Sequence, residues 1–210
     1  MKKYGFILLL LAAVFPLSAQ QLVYTNLANL LAQKADTVST LMVEKRSLNN
    51  IYMSGGADYH ISSANNKKFT KYIKNRVYAV QVDSALYVNC KFVHYNHYHF
   101  GNWFAPALRV RGRVYFAAQP YGQRASSRLD TGEVSQLSGV FGNAISASGL
   151  VNSRVFYVIN PSTTRADFVS AESLLELLSD YPELQAQYKQ EMSESAEVIG
   201  KYLQLLQTSP

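Results

Sequence analysis

Residues 77–89 read Val77-Tyr78-Ala79-Val80-Gln81-Val82-Asp83-Ser84-Ala85-Leu86-Tyr87-Val88-Asn89. β-prone residues fill both halves, and the polar pair Asp83-Ser84 separates them. The pattern predicts two antiparallel strands joined by a tight turn. With the two-residue period of a strand, Leu86, Val88 and Cys90 share one face. A second hairpin is expected from Leu108-Arg109-Val110 and Val114-Tyr115-Phe116, joined through Arg111-Gly112-Arg113. There Leu108 and Val110 alternate with Arg109 and Arg111, as in a strand with one wet face. Arg154 to Ile159 reads as a further strand, stopped by Asn160-Pro161, and Ser162-Thr163-Thr164 turns the chain into Ala166-Asp167-Phe168-Val169.

Outward from these hairpins the signals change. Upstream, Thr25 and Asn26 can cap a short helix carrying Leu27, Leu30 and Leu31. Asp36 to Arg46 looks extended, and Ser54-Gly55-Gly56-Ala57-Asp58 reads as a turn. Downstream, the apolar period moves from two to 3.6 residues at Ser170, which caps a helix bearing Leu174, Leu175 and Leu178. Asp180-Tyr181-Pro182-Glu183 predicts a second helix start through an Asp-x-x-Glu capping box. Leu184, Tyr188 and Met192 continue one stripe, and Val198, Ile199, Tyr202, Leu203 and Leu206 form another. Strands first and helices last define an α+β class. The expected architecture is a mainly antiparallel sheet of hairpins in a meander, with partial closure into a barrel as a variant, packed against C-terminal helices over about 170–207.

The N-terminus predicts export. Met1-Lys2-Lys3 is basic, Phe6 to Val14 is an apolar run too short to span a bilayer, and Pro16-Leu17-Ser18-Ala19 offers small residues for cleavage. Residues 1–19 are therefore read as a signal peptide and 20–210 as a single domain. The destination is the periplasm, the outer-membrane surface or the exterior. Hydrophobic residues at 48% and charged residues at 16% exclude a disordered chain. Fifteen tyrosines, ten phenylalanines and one tryptophan suit a pleated surface. The single cysteine, Cys90, excludes an internal disulfide and reads as a buried, inert thiol.

Charge is unevenly spread. Residues 20–165 carry 16 Lys and Arg against 6 Asp and Glu, whereas residues 166–210 carry 2 against 8. A basic body and an acidic C-terminal segment are expected to dock on each other. Nucleic acid is a poor partner for an exported chain with no recognised reading motif. Lys67, Lys68, Lys71 and Lys74 fall along one side of a helix, with Phe69 and Ile73 opposite. That side is either a plain solvated face or a contact for anionic lipid headgroups or acidic glycans.

Two further stretches could carry function. His94-Tyr95-Asn96-His97-Tyr98-His99 would, on one continuous strand, place His97 and His99 on a shared face as two ligands for a transition metal, with His60 a conjectural third. An aromatic, polar loop between hairpins accounts for the same residues. Tyr95, Tyr98, Trp103 and Phe104 could stack on sugar rings or enter a partner's pocket, or could cover one end of the sheet. Val134 to Ser153 is uncharged, with Ser138, Gly142 and Ser146 at four-residue spacing. Its polar residues make a buried or surface-lying segment the better reading than a membrane span. No Gly-x-Ser-x-Gly, His-Glu-x-x-His or Ser-x-x-Lys motif occurs, so no catalytic residue and no cofactor is assigned.

Four blocks carry a resemblance: Ile51-Tyr52-Met53-Ser54-Gly55-Gly56-Ala57-Asp58-Tyr59, Lys71-Tyr72-Ile73-Lys74-Asn75 ahead of a Val-Tyr-Ala strand, Gly142-Asn143-Ala144-Ile145 before Phe156-Tyr157-Val158, and Leu177-Leu178-Ser179-Asp180-Tyr181-Pro182-Glu183-Leu184. Together with the leader ending Leu-Ser-Ala-Gln, they resemble an uncharacterised family of exported Bacteroidetes proteins, a domain of unknown function. The resemblance implies export and one folded domain, and it transfers no site residue. The expected function is a non-catalytic binding module of the envelope or exterior, with envelope components, glycans or anionic lipid as partners. A metal-binding protein and a hydrolase with a dispersed site are the alternatives. Intact-mass measurement of the exported protein is expected to give a chain beginning at Gln20; a mass retaining residues 1–19 overturns the leader assignment.

Overall fold

The computed structural model describes residues 21–120 and 153–208. The predicted leader, the first mature residue Gln20, the Gly142–Ile145 block and all of the uncharged segment but Ser153 lie outside them. In chain order the first half contains β1 (Gln21–Tyr24), α1 (Leu27–Leu31), β2 (Asp36–Val38), β3 (Leu41–Lys45), α2 (Leu48–Ser54), β4 (Tyr59–Ser63) and α3 (Lys67–Arg76). There follow β5 (Ala79–Val82), β6 (Ala85–Asn89), the two-residue strands β7 (His94–Tyr95) and β8 (Tyr98–His99), β9 (Phe104–Val110) and β10 (Arg113–Ala118). The chain ends in β11 (Val155–Ile159), β12 (Ala166–Phe168), α4 (Ala171–Leu177), α5 (Pro182–Glu191) and α6 (Ala196–Thr208).

The predicted hairpin is β5–β6, with Val82 opposite Ala85 and Asp83 at φ +55. The second is β9–β10, whose turn is Arg111-Gly112, both at positive φ as a two-residue hairpin turn demands. Neighbouring strands run β12-β11-β10-β9-β6-β5-β1-β2, all antiparallel, and β3–β4 joins through the single pair Tyr59↔Phe104. This is the α+β architecture with a large antiparallel sheet. Among the described residues the sheet stays open, with β12 and β2 at its two ends, so it does not close into a barrel.

Alternation along the strands sends side chains to two faces, and each face has its own cover. On one, Leu86, Val88, Ala105, Val114, Phe116, Val155 and Tyr157 lie under Leu27 and Leu30 of α1 and under Val93, Tyr95 and Phe100. Phe100 meets Tyr157 and Phe116 edge-on at centroid distances of 4.8 and 5.0 Å, and Tyr157 donates its hydroxyl to the Gln119 carbonyl. Tyr24, Tyr188 and Tyr202 likewise bury their rings while the hydroxyl reaches an acceptor, whereas the buried Tyr78 hydroxyl has none among the described residues. On the other face, Val23, Val80 and Phe104 meet Ile61 and Ile73. Further along that face, Val110, Tyr115 and Phe156 meet Leu174, Leu178, Tyr188, Ile199, Tyr202, Leu203 and Leu206 from the C-terminal helices.

Four local expectations need correction. Arg109 is not on a wet face; half-buried, it donates to the Leu30 carbonyl and closes the C-terminal end of α1. The Asp-x-x-Glu box does not form: Tyr181 occupies the cap position, and its side chain does not cap the helix. Asp180 instead accepts from Arg111 at 2.9 Å, and the Arg111 guanidinium lies over the Tyr181 ring. A cation on the β9–β10 turn has drawn the carboxylate away from the helix start. Met192 leaves its stripe because it ends α5 in a left-handed conformation at φ +43 and is exposed. The acidic segment does dock on the basic body, but through the apolar contact of the C-terminal helices with the sheet, since the Arg111–Asp180 pair lies at the surface where water screens it.

Tyr188, fully buried, donates to the Ser193 carbonyl, and burial followed by the nearby Glu194 and Glu172 carboxylates pushes its phenol up to about 12 from 10.0. The fold accommodates the neutral phenol, so this contribution to stability is complete below pH 10 and is lost as pH rises toward 12. Urea denaturation is expected to show stability falling across that window, with a shallower fall in Tyr188→Phe; an unchanged slope refutes the assignment.

Candidate functional site

The site begins with a helix tied to the sheet. Asn66 accepts from the Phe69 amide and starts α3, and Ile73 is fully buried, so the four lysines face outward as expected. The far end of α3 is closed from the sheet. Asn89, 1% exposed at the end of β6, donates to the carbonyls of Val77 at 2.9 Å and Lys74 at 3.1 Å. A buried amide needs such partners, and here they hold the last turn of α3 in register with β6. That turn carries Lys74, whose Nζ stands 5.0 Å from the centre of the Trp103 ring.

Trp103 itself is held in an unusual backbone. Its φ is +83, a genuine outlier for a bulky side chain. Two loops clamp it there. The Ala57 amide donates to the Asn102 carbonyl at 3.0 Å, and the Cys90 amide donates to the Trp103 carbonyl at 2.9 Å. Between the loops only glycine fits. A Cβ on Gly56, itself at φ +81, would lie 2.5 Å from the Asn102 oxygen and 2.8 Å from Cδ1 of Trp103. One added to Gly101 would come within 3.1 Å of the Gly56 Cα. Strain of this kind, of order 1–3 kcal/mol, persists only where its surroundings over-determine it. Its effect is to fix a half-buried indole against a surface cleft.

The cleft, about 470 Å³, is lined by Glu44, Lys45, Arg46, Ser47, Asn50, Ser54, His60 and Trp103. Arg46 builds its wall. The guanidinium donates to the carbonyls of Gly55 at 2.9 Å, Ala57 at 2.7 Å and Asn50 at 3.1 Å, and to Ser54 Oγ at 2.6 Å. It lies 5.1 Å from the indole centre. Burial lowers its pKa from the ordinary value, partly offset by Asp58. His60 meets the indole edge-on at 4.9 Å and holds Glu44 at 3.4 Å through Nδ1. Behind the cleft, Asp58 receives a two-pronged bond from Arg154, a pair whose side chains are 14% and 16% exposed. It fastens the Gly55–Asp58 turn to the start of β11.

The hydroxyls of the cleft are already engaged. Ser54 donates to the Asn50 carbonyl and accepts from Arg46, and Ser47 caps α2 by accepting from the Asn50 amide. Neither hydroxyl is hydrogen-bonded to His60, so the nucleophile–base contact of a hydrolytic triad is not formed. Beside the cleft, α2 exposes Leu48, Tyr52 and Met53.

The sequence candidates divide. Trp103 lies in the cleft and Lys74 reaches its ring; Lys67, Lys68 and Lys71 are exposed along α3. Phe104 and Tyr95 are core residues, 2% and 7% exposed, and Tyr98 is at the surface. His97 and His99 do not sit on one continuous strand. Asn96-His97 forms a two-residue turn, so His99 faces His94 with rings 5.8 Å apart, and His97 packs on Tyr98. His60 is in the Trp103 cleft, paired with Glu44. Among the described residues no group of three or more His, Cys, Asp or Glu is placed to hold a metal. Cys90 is fully buried, and burial, then Asp58, raises its pKa. Arg46, Glu44, Asn50 and Ser54 were not singled out from sequence, although the turn Ser54–Asp58 was the signal that leads to them.

The arrangement defines an α+β domain with a donor-lined aromatic cleft where two loops and two helices meet. The chain belongs to a family of unknown function, DUF6563, whose model matches residues 22–210. No curated protein and no solved structure was found to match it.

Gly56→Ala is expected to destabilise the protein by about 1–3 kcal/mol and to shift the emission of Trp103, the chain's one tryptophan. Chemical denaturation followed by fluorescence measures both, and a variant indistinguishable from the parent refutes the clamp.

Proposed function

We propose that the protein is an exported Bacteroidetes module of the cell envelope or exterior that acts by binding, without catalysis, and that the Trp103 cleft is its recognition site. The leader-like residues 1–19 support export. The observation that carries the binding role is the strained, glycine-clamped Trp103, whose indole is kept at an open cleft under Arg46 and Lys74. Strained residues that a fold over-determines cluster at ligand sites, and an aromatic ring among polar groups is the usual composition of one. The engaged hydroxyls of Ser47 and Ser54 favour recognition over hydrolysis.

Trp103 emission supplies the test. Titration with neutral oligosaccharides, acidic oligosaccharides and anionic phospholipid vesicles is expected to give a saturable change with one of these classes, and the bound probe is recovered unchanged by mass spectrometry. Conversion of a probe to product replaces the binding role with a catalytic one, and silence from every class removes the cleft as a recognition site.

A further inference from the structure

The ligand class follows from which polar groups of the cleft are still free. Every acceptor that Arg46 touches is consumed by it: the carbonyls of Gly55, Ala57 and Asn50 and the Ser54 hydroxyl. The one carboxylate in the lining, Glu44, faces His60. What remains without a hydrogen-bond partner among the described residues is weighted toward donors and positive charge: the indole N–H of Trp103, the side-chain NH2 of Asn50 and the Lys45 ammonium in the lining, with the Lys74 ammonium beside the ring, against the Asn50 amide oxygen and one oxygen of Glu44 as acceptors. Neither lysine has an acidic partner among the described residues, and Lys67, Lys68 and Lys71 continue the positive charge along α3. A partner must therefore bring acceptors and negative charge.

Size and shape narrow it further. A cleft of about 470 Å³ falls within the range that holds a compact ring-sized ligand. The indole, with Arg46 and Lys74 over its ring and His60 at one edge, leaves its N–H and remaining edge for a ring-sized ligand, while the amide and ammonium groups around it bind hydroxyls and anionic oxygens. We infer that the Trp103 cleft binds an acidic glycan, a sugar ring bearing carboxylate, sulfate or phosphate, with the ring beside Trp103 and the anion drawn by the positive charge of Lys45 and Lys74. This rests on the binding role proposed above. The cation–π contacts of Arg46 and Lys74 favour the same ligand, because they bring two positive charges to the indole.

Three ligand series separate the outcomes: oligogalacturonate with its fully methyl-esterified counterpart, a sulfated chondroitin oligosaccharide, and a phosphorylated mannose beside inorganic phosphate alone. Phosphatidylglycerol vesicles form the fourth arm. The expected result is a saturable change in Trp103 emission with at least one acidic sugar, at least about tenfold weaker binding once its charge is esterified or removed, and no response to inorganic phosphate. Lys74→Gln and Lys45→Gln, both at exposed residues, are each expected to weaken binding by about tenfold. Lys189→Gln on α5 leaves it unchanged, and all three variants keep Trp103 as the reporter. Equal affinity for charged and esterified sugars overturns the acidic ligand while leaving the binding role standing. Vesicle binding with every sugar silent has the same consequence and moves the contact to the Leu48, Tyr52 and Met53 side of α2. No response in any arm overturns both.

Discussion

Gly56 packs so closely on the Asn102 carbonyl and the Trp103 ring that it has no room for a methyl group, Gly101 lies tightly against its Cα, and much of the architecture around the cleft follows from that contact. It brings the turn before β4 against the turn before β9. From there β4 reaches β9 through Tyr59 and Phe104, so the β3–β4 hairpin becomes part of the sheet instead of a separate flap. The same approach gives Ala57 an acceptor in Asn102 and sets Trp103 in its left-handed backbone. Asp58, two residues on from Gly56, is then within reach of Arg154, nearly a hundred residues along the chain. Removing one member of a pair this enclosed leaves a charge without compensation, which makes the contact a strong constraint on where β11 begins.

Most of the framework was legible from sequence because it is local. Alternation over a few residues identified β5, β6, β10 and β11, and Asn26 and Ser170 cap the helices they were read to cap. The change of period at Ser170 located the helical cover. What failed was non-local. Asp180 looked like a helix cap because Pro182 and Glu183 follow it, yet its partner is Arg111, 69 residues earlier. Arg109 looked solvent-facing because it alternates with Leu108 and Val110, yet α1 folds over that face and offers it the Leu30 carbonyl. The pairing of His97 with His99 required one continuous strand, whereas the reading as an aromatic loop between hairpins did not. An Asn-His pair can turn a chain in two residues when Asn96 takes positive φ, and that turn exchanges which histidines are neighbours.

The candidate site was legible only in fragments. Trp103 and Lys74 each stood out, one as an aromatic beside Gly101-Asn102 and the other as part of a basic helix side, but nothing in either stretch says that they meet. The meeting depends on Asn89, a residue at the end of a predicted strand whose buried amide closes a helix lying elsewhere in the chain. Arg46 is harder still. Its significance lies in four acceptors distributed over the eight residues from Asn50 to Ala57, and only the folded turn collects them.

Open sheets carry a hazard that closed ones do not, since the outermost strands present unsatisfied amides and carbonyls to any neighbouring chain. Here the strands at the two ends of the main path, β2 and β12, are only three residues long, and β2 shows Asp36 and Thr37 to solvent, while on the branch the five-residue β3 pairs with β4 alone among the described residues. Such stubs offer too few rungs for a second molecule to zip onto, and the aspartate adds repulsion between like copies. Among the described residues, ten strands therefore share one sheet whose main path is blunted at both ends against pairing with a second copy.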